Sequence, residues 1–322
     1  VSTFIKQVPI PTAGIALSLV SLGILLRPFS TVITYAAAVC SAALVVLLVA
    51  KALLYPRLVK NELQNPVALS VSGTFFMAIM QLASLISQTA IGFAIWCAAV
   101  VGHLVLIGVL SLRMLRAFRW DDVFPTYFIA YVGIVVATVT APSFNMYPLG
   151  QGLFWMGFAC YIVLFAAVTY RVATIPLPES ARPLICIYAA PMSLSLTGYL
   201  SCFADPNPVF VACLTVLAQG LLAFVVMQIP ALLVSLRGRF FPSIAAMTFP
   251  FIVSATGLGK AYSFFTARGC ILPDFVGGAC GIEAALAIGM VLYAVVRYVG
   301  YFRQIHVKKS AQSEPVPEST SV

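Results

Sequence analysis

Long apolar runs dominate the chain, and the short breaks between them hold most of its arginines. A helix that crosses the hydrocarbon core of a bilayer needs about 20 apolar residues. Runs of that kind fall at roughly 9–27, 31–54, 66–86, 91–112, 125–141, 150–170, 183–203, 208–235, 242–265 and 275–299. The pattern predicts an all-α polytopic membrane protein with ten spanning helices in one domain, residues 1–306. The remainder, 307–322, is polar, contains proline and serine, and shows no apolar period, which predicts a disordered tail. The first run has no small-residue cleavage site and further hydrophobic segments follow it, so no cleavable signal peptide is expected.

Composition removes the alternatives to lipid as the main solvent. The 322 residues are 62% hydrophobic and 8% charged, with mean hydropathy +1.05. An ordinary globular domain carries about 25% charged residues. A soluble enzyme, a secreted domain and a nucleic-acid binder are thereby excluded, despite a net charge of +9. The basic residues instead report topology. Ten spans place both termini on one side, and fifteen of the eighteen basic residues fall in the segments on that side; Arg27, Lys260 and Arg268 are the others. The positive-inside rule predicts cytoplasmic termini in a plasma (inner) membrane, with odd-numbered helices running outward. The eight cysteines form no CxxC or Cys/His pair of metal-ligand spacing and read as small hydrophobes; Cys202 and Cys270, both near helix ends, are the only two placed to meet in a disulfide, and none is expected. No Walker loop, GxSxG, HExxH or paired-carboxylate motif appears, so no enzyme activity, cofactor or metal is expected.

Proline adds a repeat that hydropathy does not show. Pro9, Pro66, Pro125, Pro183 and Pro242 stand at the starts of the odd-numbered helices, 57, 59, 58 and 59 residues apart. Five helical hairpins of about 58 residues account for this period. The outgoing helices also hold Pro191 and Pro250, end near Pro142, and cluster small or polar residues: Gly14, Ser70, Ser72, Gly73, Thr74, Gly133, Ser193, Ser195, Ser254 and Thr256. Among the returning helices only the eighth has an internal proline, Pro230. Proline in a membrane helix frees a carbonyl that protein or water must satisfy. The expectation is an inner ring of five odd-numbered helices around a central pore and an outer ring of five, with Gly14, Thr74, Gly133, Pro191 and Pro250 lining or kinking the inner one. The plainer alternative is that these residues serve helix packing alone. Inner helices that all start at the basic face direct their positive dipole ends there, which favours anions.

Several segments resemble the tellurite-resistance/dicarboxylate transporter family, which includes bacterial tellurite-resistance channels and the slow-type anion channels of plant guard cells. The segments are VPIPTAGIALSLVSLGILL (8–26), NPVALSVSGTFFMAIM (65–80), FPTYFIAYVGIVVATVTAP (124–142), RPLICIYAAPMSLSLTGYL (182–200) and FFPSIAAMTFPFIVSATGLGKAY (240–262). The resemblance implies ten helices in five hairpins around a pore, a homotrimer with one pore per protomer, and a phenylalanine in the ninth helix that plugs it. The TFP tripeptide puts that plug at Phe249. Seven residues beyond Pro242, at ~1.5 Å per residue, Phe249 lies ~10 Å into the bilayer. Without the motif, a phenylalanine here reads as lipid or core packing.

Glu283 sits inside the tenth apolar run, where an unpaired carboxylate costs a few kcal/mol. Three readings stay open: an ion pair with Lys260, a protonatable group that couples anion movement to H⁺, and a neutral acid bonded to backbone. His103 reads as a satisfied structural histidine. Arg113, Arg116 and Arg119, followed by Asp121 and Asp122, read as an interfacial anchor able to meet anionic lipid headgroups. The expected function is an anion channel gated at Phe249. The alternative is a secondary carrier, possibly proton-coupled through Glu283, for dicarboxylate, sulfite or tellurite-type anions. The expected partners are small anions and membrane lipids.

Overall fold

The computed structural model describes residues 2–312, with side-chain surroundings for 4–304. All regular structure among them is helical. The main helices are α1 (Thr12–Leu25), α2 (Thr31–Leu54), α3 (Pro66–Ser84), α4 (Ala90–Arg116), α5 (Tyr127–Phe144), α6 (Tyr147–Thr174), α7 (Glu179–Cys202), α8 (Pro208–Ser235), α9 (Pro242–Ala267) and α10 (Asp274–Gln312). Nine of these, α2 to α10, are long and apolar enough to cross a membrane, which makes the chain a multi-pass membrane protein.

The tenth expected span is shorter than predicted. α1 has 14 residues, about 21 Å of helix against a ~30 Å hydrocarbon core. Pro9 and Pro11 hold the chain before it in a turn, where the N–H groups of Thr12, Ala13 and Gly14 bond carbonyls three residues back. At the other end α10 continues through Gln312, beyond the expected boundary at 306. No glycine or proline lies between Tyr301 and Gln312 to stop it. Residues 313–322 of the expected tail lie outside the described residues.

The helices fall into two kinds. α2, α4, α6, α8 and α10 are continuous α-helices, and even Pro230 leaves α8 unbroken. Tight caps start three of them: Ser30, Thr89 and Asn207 accept the N–H of Ile33, Gly92 and Val209. α3, α5, α7 and α9 change helix type along their length. α3 is interrupted at Ser72, and α5 between Tyr131 and Val135. α7 is a 3-10 helix to Ala189 and α-helical from Ala190; α9 is 3-10 to Met247 and α-helical from Phe249. Pro191 and Pro250 occupy the first turn of the α-helical segments, where a missing N–H costs nothing. In place of mid-helix kinks, the two prolines mark a switch of helix type.

Burial follows the same division. The interrupted helices are 56% to 83% buried along their spans, the continuous ones 17% to 33%. Ten residues of α1 are buried. α1 packs on α3 and α9, α3 on α5, α5 on α7, and α7 on α9. Each also packs on the helix that follows it in the chain. All eight cysteines are free thiols; Cys202 is buried, its thiol on the Tyr147 carbonyl, while Cys270 is exposed.

Candidate functional site

A cavity of about 710 Å³ lies where the interruptions meet. α3 lines it with Val71 and Thr74, on either side of its break at Ser72; α5 contributes Val132 and Gly133 from within its break. α7 supplies Ala190 and Pro191, α9 supplies Phe249 and Pro250, and α1 supplies Gly14. All six residues expected at a pore or gate (Gly14, Thr74, Gly133, Pro191, Phe249 and Pro250) are therefore brought together on one wall.

Local chemistry explains each placement. Gly14 lets α1 approach α9, because a Cβ there would lie 3.1 Å from that of Ala245. Gly133 is more constrained: a Cβ would stand 2.1 Å from the Ile129 carbonyl oxygen and 2.7 Å from Met77 Sδ. Within the break the Val132 and Gly133 N–H groups both reach Phe128 O, and those of Val135, Val136 and Ala137 bond three residues back. His103, fully buried on α4, reaches the Ala130 carbonyl at 2.7 Å through Nε2. The carbonyl can only accept, so Nε2 carries the hydrogen and Nδ1, which has no partner, is the bare nitrogen. The expected structural histidine thus serves a definite carbonyl within an interrupted helix.

Phe249 is 9% exposed although it lines the cavity. Thr248, immediately before it, is fully buried; its hydroxyl bonds Ala245 O at 2.6 Å and meets Ser18 Oγ of α1. The start of the α-helical segment that carries the ring is thereby fixed to a neighbouring helix.

The small hydroxyl residues are placed differently from the expectation. Of Ser70, Ser72, Thr74, Ser193, Ser195, Ser254 and Thr256, only Thr74 lines the cavity. Thr74, Ser193 and Ser195 each give their hydrogen to a carbonyl of the preceding turn, and Ser70 ties α3 to Thr126 at 2.7 Å. The hydroxyls of Ser193 and Ser195, bonded to carbonyls of their own helix, do not face the cavity. The wall is consequently apolar at depth, and its charged side chains, Lys6 and Glu62, stand at the end that carries the N-terminal segment. No group of three or more His, Cys, Asp or Glu side chains able to hold a metal occurs among the described residues.

Glu283 and Lys260 are not brought together. None of the ion pairs among the described residues joins them, and Lys260 is exposed. Glu283 is 6% exposed and faces Ser254 of α9 and Gln219 of α8. Its Oε2, Ser254 Oγ and Gln219 Nε2 have no hydrogen bond of good geometry. The reason is helical register: Lys260 lies six residues beyond Ser254, about 120° away around α9 and ~9 Å along it. Neither Glu283 nor Lys260 lines the cavity. Arg113 bonds Leu63 O at 2.7 Å and Arg119 stands 4.0 Å from Asp121, both away from the central cavity. The buried pair Lys51–Glu62, at 2.7 Å, was not distinguished in the sequence from the other basic residues of its face. Its only signal there is an eleven-residue separation across a turn.

The chain matches the family model described as voltage-dependent anion channel over residues 7–299, and it belongs to that family. No curated protein matches it.

Proposed function

We propose that this member of the voltage-dependent anion channel family is a plasma-membrane anion channel in which five hairpins set an inner ring of odd-numbered helices around a central pore. Phe249 is its gate. The observation that carries this reading is the cavity at the breaks of four odd-numbered helices and beside α1, with the Phe249 ring in its wall. The cycle of contacts α1–α3–α5–α7–α9–α1 and the contrast in burial support the ring. An apolar wall with a basic face beyond it suits weakly held anions, which cross by partial dehydration instead of by tight binding. The excess of basic residues supports cytoplasmic termini, and the family resemblance supports a homotrimer, to be checked by mass measurement in detergent.

Unitary currents in planar bilayers test the gate. Phe249→Ala removes the ring from an otherwise apolar path, and the expected rise in conductance is on the order of tenfold, equivalent to ~1.4 kcal/mol of barrier. An unchanged conductance would remove Phe249 from the pathway.

One observation favours a second reading, a carrier for dicarboxylate, sulfite or tellurite-type anions. Among the described residues no cation pairs with the buried carboxyl of Glu283, and proton relay is one role of such groups inside membranes. Since Glu283 lies outside the cavity wall, it would have to act through Ser254 on α9.

A further inference from the structure

The two charged side chains in the cavity wall, Lys6 and Glu62, have opposite signs, and a carboxylate at the mouth of an anion path opposes its traffic. Glu62 ends the short helix Pro56–Glu62 and its side chain is 31% exposed. Lys51, in the last turn of α2, is 1% exposed and holds both Glu62 carboxylate oxygens at 2.7 Å. Its third hydrogen bond, also 2.7 Å, goes to the Val8 carbonyl, next to Pro9 in the cavity wall. A lysine buried this deeply is dehydrated at a cost, and only a close carboxylate and a carbonyl make its position stable. The pair therefore brings one negative group to the mouth and one positive group behind it.

We infer that Glu62 sets anion throughput at this mouth and that Lys51 holds its charge in check. This inference rests on the channel reading above. With the pair intact, Lys6 is the uncompensated charge of the wall. E62Q adds the Lys51 charge to it, K51M leaves Glu62 to cancel Lys6, and the double variant K51M/E62Q restores the wild-type charge. At the ~8 Å scale of a narrow mouth, one unit charge changes the local anion concentration roughly threefold in a partly aqueous setting.

The test is chloride flux from proteoliposomes holding equal amounts of wild type, E62Q, K51M and K51M/E62Q. The expected order is E62Q fastest, wild type and the double variant alike, and K51M slowest, with steps of roughly threefold at 0.1 M salt. The steps should shrink at 1 M salt, where the Debye length falls to ~3 Å. Should E62Q, which leaves the buried Lys51 without its carboxylate, fail to fold, K51M must still be slower than the double variant. A double variant as slow as K51M would show that Lys51 acts only by holding Val8, and would overturn the inference. Equal flux from all four proteins overturns this inference alone, whereas no flux above empty vesicles from any of them overturns the channel reading with it.

Discussion

α7 and α8 are neighbours in sequence and in space, are both apolar, and each contains an internal proline, yet they are built in different ways. α8 stays α-helical through Pro230 and is 28% buried; α7 changes from 3-10 to α just before Pro191 and is 83% buried. The difference lies in what surrounds the carbonyls. A change of helix type frees backbone oxygens, and lipid has nothing to offer them. In α7 the hydroxyls of Ser193, Ser195 and Thr197 bond the carbonyls of Ala189, Pro191 and Ser193, one turn back along the α-helical segment, and the Ala190 N–H takes the Ile187 carbonyl. α9 repeats the pattern: P-x3-S-x-T-G runs from Pro191 to Gly198 and again from Pro250 to Gly257. A proline alone does not make a helix irregular: Pro230 leaves α8 continuous, whereas α7 and α9 change helix type where protein surrounds them.

The contrast is broken most forcefully at glycine. Gly133→Val puts atoms against the Ile129 carbonyl and Met77, which the break in α5 cannot absorb. The expected loss is more than ~3 kcal/mol, seen as absence of a monodisperse protein. Gly108→Val on α4 and Gly220→Val on α8 have nothing within 4 Å of the new Cβ. Both should stay within ~0.5 kcal/mol of wild type in thermal unfolding. If Gly133→Val is equally harmless, the break in α5 is not held by this packing.

His103 sharpens the same comparison from the side of the continuous helices. α4 is mostly exposed, but this one side chain crosses to satisfy α5 at Ala130. His103→Ala leaves a buried carbonyl without its donor and a hole beside Gly73 and Gly133, for an expected loss of ~2–4 kcal/mol. His103→Gln, which keeps an N–H, should recover part of the melting temperature. Equal losses from the two variants would mean that shape, not the hydrogen bond, matters at this position.

The parts legible in the sequence were those carried by residue type. Apolar length marks the spans, and Pro191, Pro250, Gly14, Thr74, Gly133 and Phe249, which line one cavity, each stand out in the sequence by chemistry or motif. The breaks at Ser72 and in α5 were not legible, because neither has a proline at the break itself and both depend on which neighbours can bond the freed groups. Hydroxyl direction is not legible either: Ser193 and Ser195 turn to carbonyls one turn back in their own helix. The approach of Lys51 to Val8 is not legible, because 43 residues of sequence separate them. α1 is shorter than its apolar run because Pro9 and Pro11 form a turn that precedes the helix.

The smallest expected effect decides between the two transport readings. Glu283 sits on a continuous helix and touches an interrupted one at Ser254. Glu283→Gln keeps its shape and hydrogen-bonding capacity while removing the titratable proton, so stability should change by less than ~1 kcal/mol. If the conduction path is confined to the cavity, chloride flux and its pH profile should match wild type in the same vesicles. If a pH gradient drives anion uptake in wild type and not in Glu283→Gln, the continuous helices are more than a lipid-facing shell. The carboxyl would then move a proton at the back of α9 while the anion moves along its front, and the division between the two sets of helices would be one of cargo as well as of backbone.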